Sequence, residues 1–162
     1  MSLRDQLAEI ALPFNGNQPP SPPGMTGDDL PLYRLWSAFP PTTVRDAFYN
    51  VRVGPPEGEL RDVDQPDAYL AAQLLALRID LLYFDGASWV VVEFHRSAGL
   101  PQLGRAIAYP ALLKCSYPND EPIRSVVAAY VVNPFLLPLF RAHRVQVWQA
   151  PTPPTWSPYA IL

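Results

Sequence analysis

Two acidic residues stand inside otherwise apolar, β-branched runs: Asp80 within residues 77–84 and Glu93 within residues 88–95. The runs are joined by Asp85-Gly86, a dipeptide typical of the tip of a two-residue hairpin. Such a turn pairs Phe84 with Ala87 and sets Asp80 opposite Val91, diagonal to Glu93. Side chains alternate along a strand, so Asp80, Leu82 and Phe84 then share a face with Trp89, Val91, Glu93 and His95. A three-residue turn would put the two carboxylates on opposite faces. A carboxylate in an apolar strand is costly without a partner. The pair has two solutions: a hard divalent cation such as Mg2+ or Mn2+, or arginines, with Arg78, Arg96 and Arg105 close in sequence.

The elements that must hold these residues follow from periodicity and caps. Residues 100–114 are helical, with Leu103, Ile107 and Ala111 expected on the core stripe. Gln102 and Tyr109 are seven positions apart with Arg105 between them, so all three can face one side. Residues 125–132 are a continuous apolar run, the mark of a strand buried on both faces. A helix over 134–143 and a short strand over 145–148 follow, with His143 near the helix C-terminus, where a cation is favourable. Upstream, Ser2 and Asp5 have the capping-box spacing before Leu3, Leu7 and Ile10. Residues 30–39 read as a short helix, 47–53 as a strand and 67–76 as a helix.

Composition sets the surroundings. The chain has 162 residues, 49% hydrophobic and 17% charged, which supports a packed core and excludes disorder of the whole chain. Proline accounts for 21 residues, about twice its typical usage or more. Eleven of them fall between Pro13 and Pro66, none between residues 67 and 100, and four between Pro151 and Pro158. Dense proline cannot join a sheet interior. The organisation expected is a proline-rich N-terminal arm over 1–66 with short helices and a strand, a core over 67–149, and a proline-rich C-terminal arm over 150–162.

The net charge of −3 argues against a simple nucleic-acid-binding domain. The acids concentrate in residues 1–77, with ten Asp/Glu against five Arg, whereas 78–144 hold seven Lys/Arg against five acids. Polyanion contacts are therefore expected in the second half. Cys115 is the only cysteine, which excludes an intrachain disulfide and a thiolate zinc site, and reads as a buried small hydrophobe. No basic n-region followed by an apolar h-region opens the chain, so secretion by a signal peptide is not expected. The longest uncharged stretch, 16 residues over 125–140 and broken by Pro134 and Pro138, is short of the roughly 20 needed to span a membrane.

The stretch RIDLLYFDGASWVVVEFHRSAGLPQLGRAIAY resembles the PD-(D/E)XK nuclease superfamily, the likeness extending over residues 67–148. In that superfamily an acid on one hairpin strand is followed by an acid-x-Lys on the next, and in one branch by a helix bearing Gln and Tyr. The resemblance implies an α/β, restriction-endonuclease-like core, a mixed central sheet with a β-hairpin flanked by helices. It places Asp80 and Glu93 at the two acids, holding Mg2+ or Mn2+ if a metal is bound. Gln102 falls among the catalytic positions, with Tyr109, Arg78, Arg96 and Arg105 near DNA or supporting the site. The departure is His95, which stands where the family has its lysine. A neutral imidazole can accept a proton from water but supplies no permanent cation. Lys114 lies about 18 Å along the helix from Gln102, too far to substitute.

Two functions follow as expectations. One is a nuclease-fold structural protein with a degenerate active site, a subunit of a homo- or hetero-oligomeric assembly. Its size and RIDLL…VVVEF core are similar to small proteins of this fold at the head–tail neck of tailed-phage virions, which implies a virion or host-cytoplasmic location. The other is a metal-dependent DNA endo- or exonuclease using Asp80 and Glu93. The first acid of the family, often on an N-terminal helix, has no clear match, and Asp67 is a candidate for it.

Overall fold

Five strands form one sheet in the order β1–β2–β3–β4–β5: β1 Asp46–Val53, β2 Leu77–Phe84, β3 Trp89–Ala98, β4 Ile123–Val132 and β5 Val145–Gln149. The structure is a computed structural model that describes residues 1–8, 22, 24–25, 27, 29–54 and 77–151. The helix expected over 67–76, the C-terminal arm from 152 and the candidate acid Asp67 lie outside the described residues. The helices are α1 Leu3–Ala8, α2 Asp29–Ala38, α3 Leu100–Ser116 and α4 Leu137–Ala142, the last preceded by a 3-10 turn at Pro134–Leu136.

Strands β1 to β3 run as an antiparallel meander, and β4 and β5 add in parallel to β3. Parallel neighbours need a crossover, which α3 provides between β3 and β4 and α4 between β4 and β5. The result is an open mixed α/β sheet with helices on both faces. On one face Leu32, Tyr33 and Trp36 of α2 pack on Leu81, Tyr83, Val92 and Phe94. On the other, Leu3 and Leu7 of α1 and Tyr109 and Leu113 of α3 pack on Phe48, Leu82, Trp89 and Val91. Phe140 of α4 joins Leu103 and Ala106 over Val127 and Ala129 at the far end of that face. Residues 125–130 of β4 are buried without a break, as their apolar run demands.

Residues 1–66, read as an arm, thus contribute α1, α2 and β1 to the same layers. The capping box forms: Ser2 Oγ accepts from Asp5 N–H at 3.2 Å, and Asp5 Oδ2 accepts from Ser2 N–H at 3.2 Å. Leu3 and Leu7 are then fully buried. Leu7→Ala is expected to lower the free energy of unfolding by about 2–5 kcal/mol, the usual range for a buried leucine. Urea unfolding monitored by tryptophan fluorescence measures it. A loss below about 0.5 kcal/mol, the size of a surface substitution, would show α1 to be peripheral.

Four local expectations are corrected. The β2–β3 turn has four residues, not two, so Phe84 pairs with Trp89. Asp85 causes this: its N–H donates to Ser88 O at 3.1 Å, while its Oδ1 accepts from the N–H groups of Ala87 and Ser88 at 2.8 Å each. Gly86 takes the left-handed backbone that the turn needs, with φ +105°. Two added residues preserve parity and bring Asp80 level with Glu93.

Strand β1 does not alternate regularly. Asn50 has φ +55°, and across it Tyr49 packs with the α2 cluster while Val51 packs with the α3 cluster. In the α3 helix Ile107 and Ala111 are exposed, and the buried stripe is Gln102, Leu103, Ala106, Tyr109 and Leu113. Cys115, on that helix, is exposed rather than buried. No helix among the described residues is long and apolar enough to cross a membrane.

Candidate functional site

The site begins where the β2–β3 hairpin opens. The ladder's last pair is Leu81 with Val92, and one further step sets Asp80 across from Glu93. Beside Asp80, β1 carries the left-handed Asn50, and the partners on either side are Tyr49 with Leu81 and Val51 with Ile79. Leu81 faces α2 and Ile79 faces α3, so the strand changes face at Asp80. That twist brings the Asp80 carboxylate to the neighbouring backbone, where Oδ2 accepts from Phe94 N–H at 2.9 Å.

Glu93 is buried, at 2% exposure. Its Oε2 lies 3.7 Å from Nη1 of Arg105, whose side chain is itself half-exposed. Its Oε1 has no hydrogen-bond partner among the described residues. A buried, unpartnered carboxylate oxygen carries a large desolvation penalty, and the cheapest response is to keep a proton. Burial, and then the charge of Asp80, push the Glu93 carboxyl up to about 9. Burial raises Asp80 as well, to about 6, against the Phe94 hydrogen bond that lowers it, and Asp29 at the start of α2 adds a further upward push. The Tyr109 hydroxyl is raised by burial and then by the Glu93 charge, and it donates to Arg78 O at 3.1 Å.

Asp80, Glu93, Arg105 and Tyr109 are thus brought together. The others are placed differently. Gln102 Oε1 accepts from Gly99 N–H at 3.1 Å and closes the N-terminus of α3. His95 is exposed at the rim, its Nδ1 2.9 Å from Ser97 O and 3.2 Å from Ser97 N. The Arg78 side chain is exposed, and its carbonyl accepts from Tyr109. Arg96 shares the parity of Phe94, which packs against α2, and so leaves the Glu93 face. Asp29, the first residue of α2, also bears on the pair, and nothing in its local pattern signals the nearness of Asp80.

Among the described residues no group of three or more His, Cys, Asp or Glu is gathered for a metal. Asp80 and Glu93 nonetheless fit a hard divalent cation, because two carboxylates with one orphaned oxygen are the donors Mg2+ or Mn2+ takes, the rest of its shell coming from water. Comparison with protein families, curated proteins and solved structures gave no match.

Proposed function

We propose that the chain has a restriction-endonuclease-like core that keeps the acid pair, has lost or weakened hydrolysis, and serves as a structural subunit of a larger assembly, a neck or head–tail connector component of a tailed-phage virion. The fold part of this reading is supported by the three-strand meander, the helical crossover to a parallel fourth strand, and acids facing each other where the hairpin opens. The observation that carries the loss of hydrolysis is His95, exposed and engaged with Ser97 of its own strand. With no lysine there, that position supplies no permanent cation to offset the charge that grows on a phosphodiester under attack. Arg105 is held against Glu93.

The virion reading rests on the likeness in size and core sequence given above. Proline-rich ends also suit it, since a pre-extended segment loses little entropy when laid across a neighbouring subunit. A second reading, a metal-dependent nuclease, is favoured by the orphaned Glu93 Oε1. A divalent cation held by Asp80 and Glu93 would supply an activated water.

Purified particles from a producing host distinguish the two. The chain should be recovered in the particles at fixed stoichiometry, and Asp80→Asn chains should assemble and support infection like the native chain. Removal of residues 152–162 should stop incorporation; removal of residues 1–27 is unsuitable, because it strips Leu3 and Leu7 from the core. Absence of the chain from particles, or loss of infectivity with Asp80→Asn in normally assembled particles, would overturn the structural reading.

A further inference from the structure

The two edges of the sheet are unlike. Strand β1 carries Asp46 and Arg52 and the left-handed kink at Asn50, and Asp46 is tied to Arg4 of α1 at 2.7 Å. Charges, kinks and covering elements are how edges are kept from pairing with other chains. Strand β5, Val-Gln-Val-Trp-Gln, has none of these: it holds no charge and no proline, and no described strand lies beyond it.

Along β5 runs a groove of about 500 Å3, with Leu137, Phe140, Val145 and Trp148 in its walls and Arg141 and Arg144 at its rim. Both arginines are exposed, and neither makes an ion pair or side-chain hydrogen bond among the described residues. Arg144 also has φ +57°, at a helix end where glycine or asparagine is usual. An open strand edge beside two uncommitted guanidinium groups is suited to an extended, acidic peptide that adds as a sixth strand.

The chain itself contains an acidic segment of strand length. Residues 57–65 include Glu57, Glu59, Asp62 and Asp64 with a single Arg61, and this run is free of proline while Pro55, Pro56 and Pro66 flank it. Its first acids cannot reach the groove of their own chain. The outer side of β5 lies about 24 Å across the sheet from β1, counting gaps of about 4.8 Å. Glu57 and Glu59 follow Gly54 by three and five residues and reach at most about 11 and 18 Å. Strands β1, β4 and β5 run in the same direction, so Gly54 and Arg144 also sit at opposite ends of the sheet.

We propose that the β5 edge and the Arg141/Arg144 groove bind residues 57–65 of a second copy of this chain. The contact is heterologous, groove to segment, so it propagates from copy to copy. It goes beyond the function proposed above and rests on none of the acid-pair residues.

Sedimentation velocity of the full chain at about 50 mM and about 500 mM salt tests it, since a charge-steered contact weakens with ionic strength. The native chain should self-associate, more strongly at low salt. Arg141→Glu/Arg144→Glu should weaken association by about tenfold or more, and so should Glu57→Lys/Glu59→Lys/Asp62→Lys/Asp64→Lys. Each variant alone should be monomeric, and mixing the two should restore association, because each reversed groove then meets a reversed segment. The mixture associates only if both chains are folded, which keeps the outcome readable. A native chain that is monomeric at both salts would overturn the proposal, as would association that survives both reversals or a mixture that stays monomeric. A native monomer whose groove instead takes nucleic acid or an acidic peptide of another protein counts against it equally.

Discussion

Glu93→Gln is expected to raise the thermal midpoint of unfolding at pH 8 by several degrees and to flatten its dependence on pH. The Glu93 carboxyl is buried, with one oxygen unpartnered, and is raised to about 9 from its ordinary 4.5. Between those values the folded chain holds a proton that the unfolded chain has released. Raising pH through that window therefore favours unfolding, by up to about 1.4 kcal/mol per pH unit for one such proton. The stability is fully present below about 4.5 and has gone once pH passes the folded value. Asp80, raised to about 6, adds to the lower part of the window. An amide of the same shape removes the proton linkage, and each kcal/mol restored is worth about 2–4 °C in a chain of this size. Differential scanning calorimetry from pH 5 to pH 9 measures it. A native chain that gains stability over that range, or a Glu93→Gln chain with an unchanged slope, would show that the carboxyl is not held protonated.

His95→Lys is expected to create or increase Mn2+-dependent cleavage of DNA by about tenfold or more over the native chain, in line with the 10²–10⁴-fold typical of a positioned proton-transfer group. The native imidazole sits at the rim against Ser97 and presents no fixed charge to the acids. A lysine carries its ammonium on a flexible four-carbon stem and can bring it back toward Glu93, which shares the β3 face with position 95. Gel analysis of supercoiled plasmid reads the gain, with His95→Lys/Asp80→Asn as the control that should erase it. No gain, with the variant folded, would mean that the hydrolytic centre lacks more than its cation.

What the sequence disclosed here follows the range of each interaction. The capping box of α1, the uncharged run of β4 and the parity of the hairpin are properties of near neighbours, and each was legible. The turn length was not: Asp85 is held by Arg124, whose Nη2 meets Oδ2 at 2.7 Å from 39 positions away. Burial alone would raise the Asp85 carboxyl, yet the hydrogen bonds from Arg124, Ser88 and Ala87 outweigh it and hold it down at about 2. The buried stripe of α3 was misjudged because Gln102 and Tyr109 read as polar. Gln102 spends its oxygen on the helix cap and Tyr109 its hydroxyl on the Arg78 carbonyl, so both enter the core satisfied. The break at Asn50 leaves no mark in an alternating pattern, yet it lies beside Asp80 at the point where β2 changes face.

The proposed function requires an acid pair without a working hydrolytic centre, and the native chain's own nuclease activity tests that most directly. Purified native protein incubated with linear and supercoiled DNA in Mg2+ and in Mn2+ should show no cutting beyond that of the Asp80→Asn chain prepared alongside. Metal-dependent cutting by the native chain that disappears with Asp80→Asn would contradict it and establish the enzyme instead.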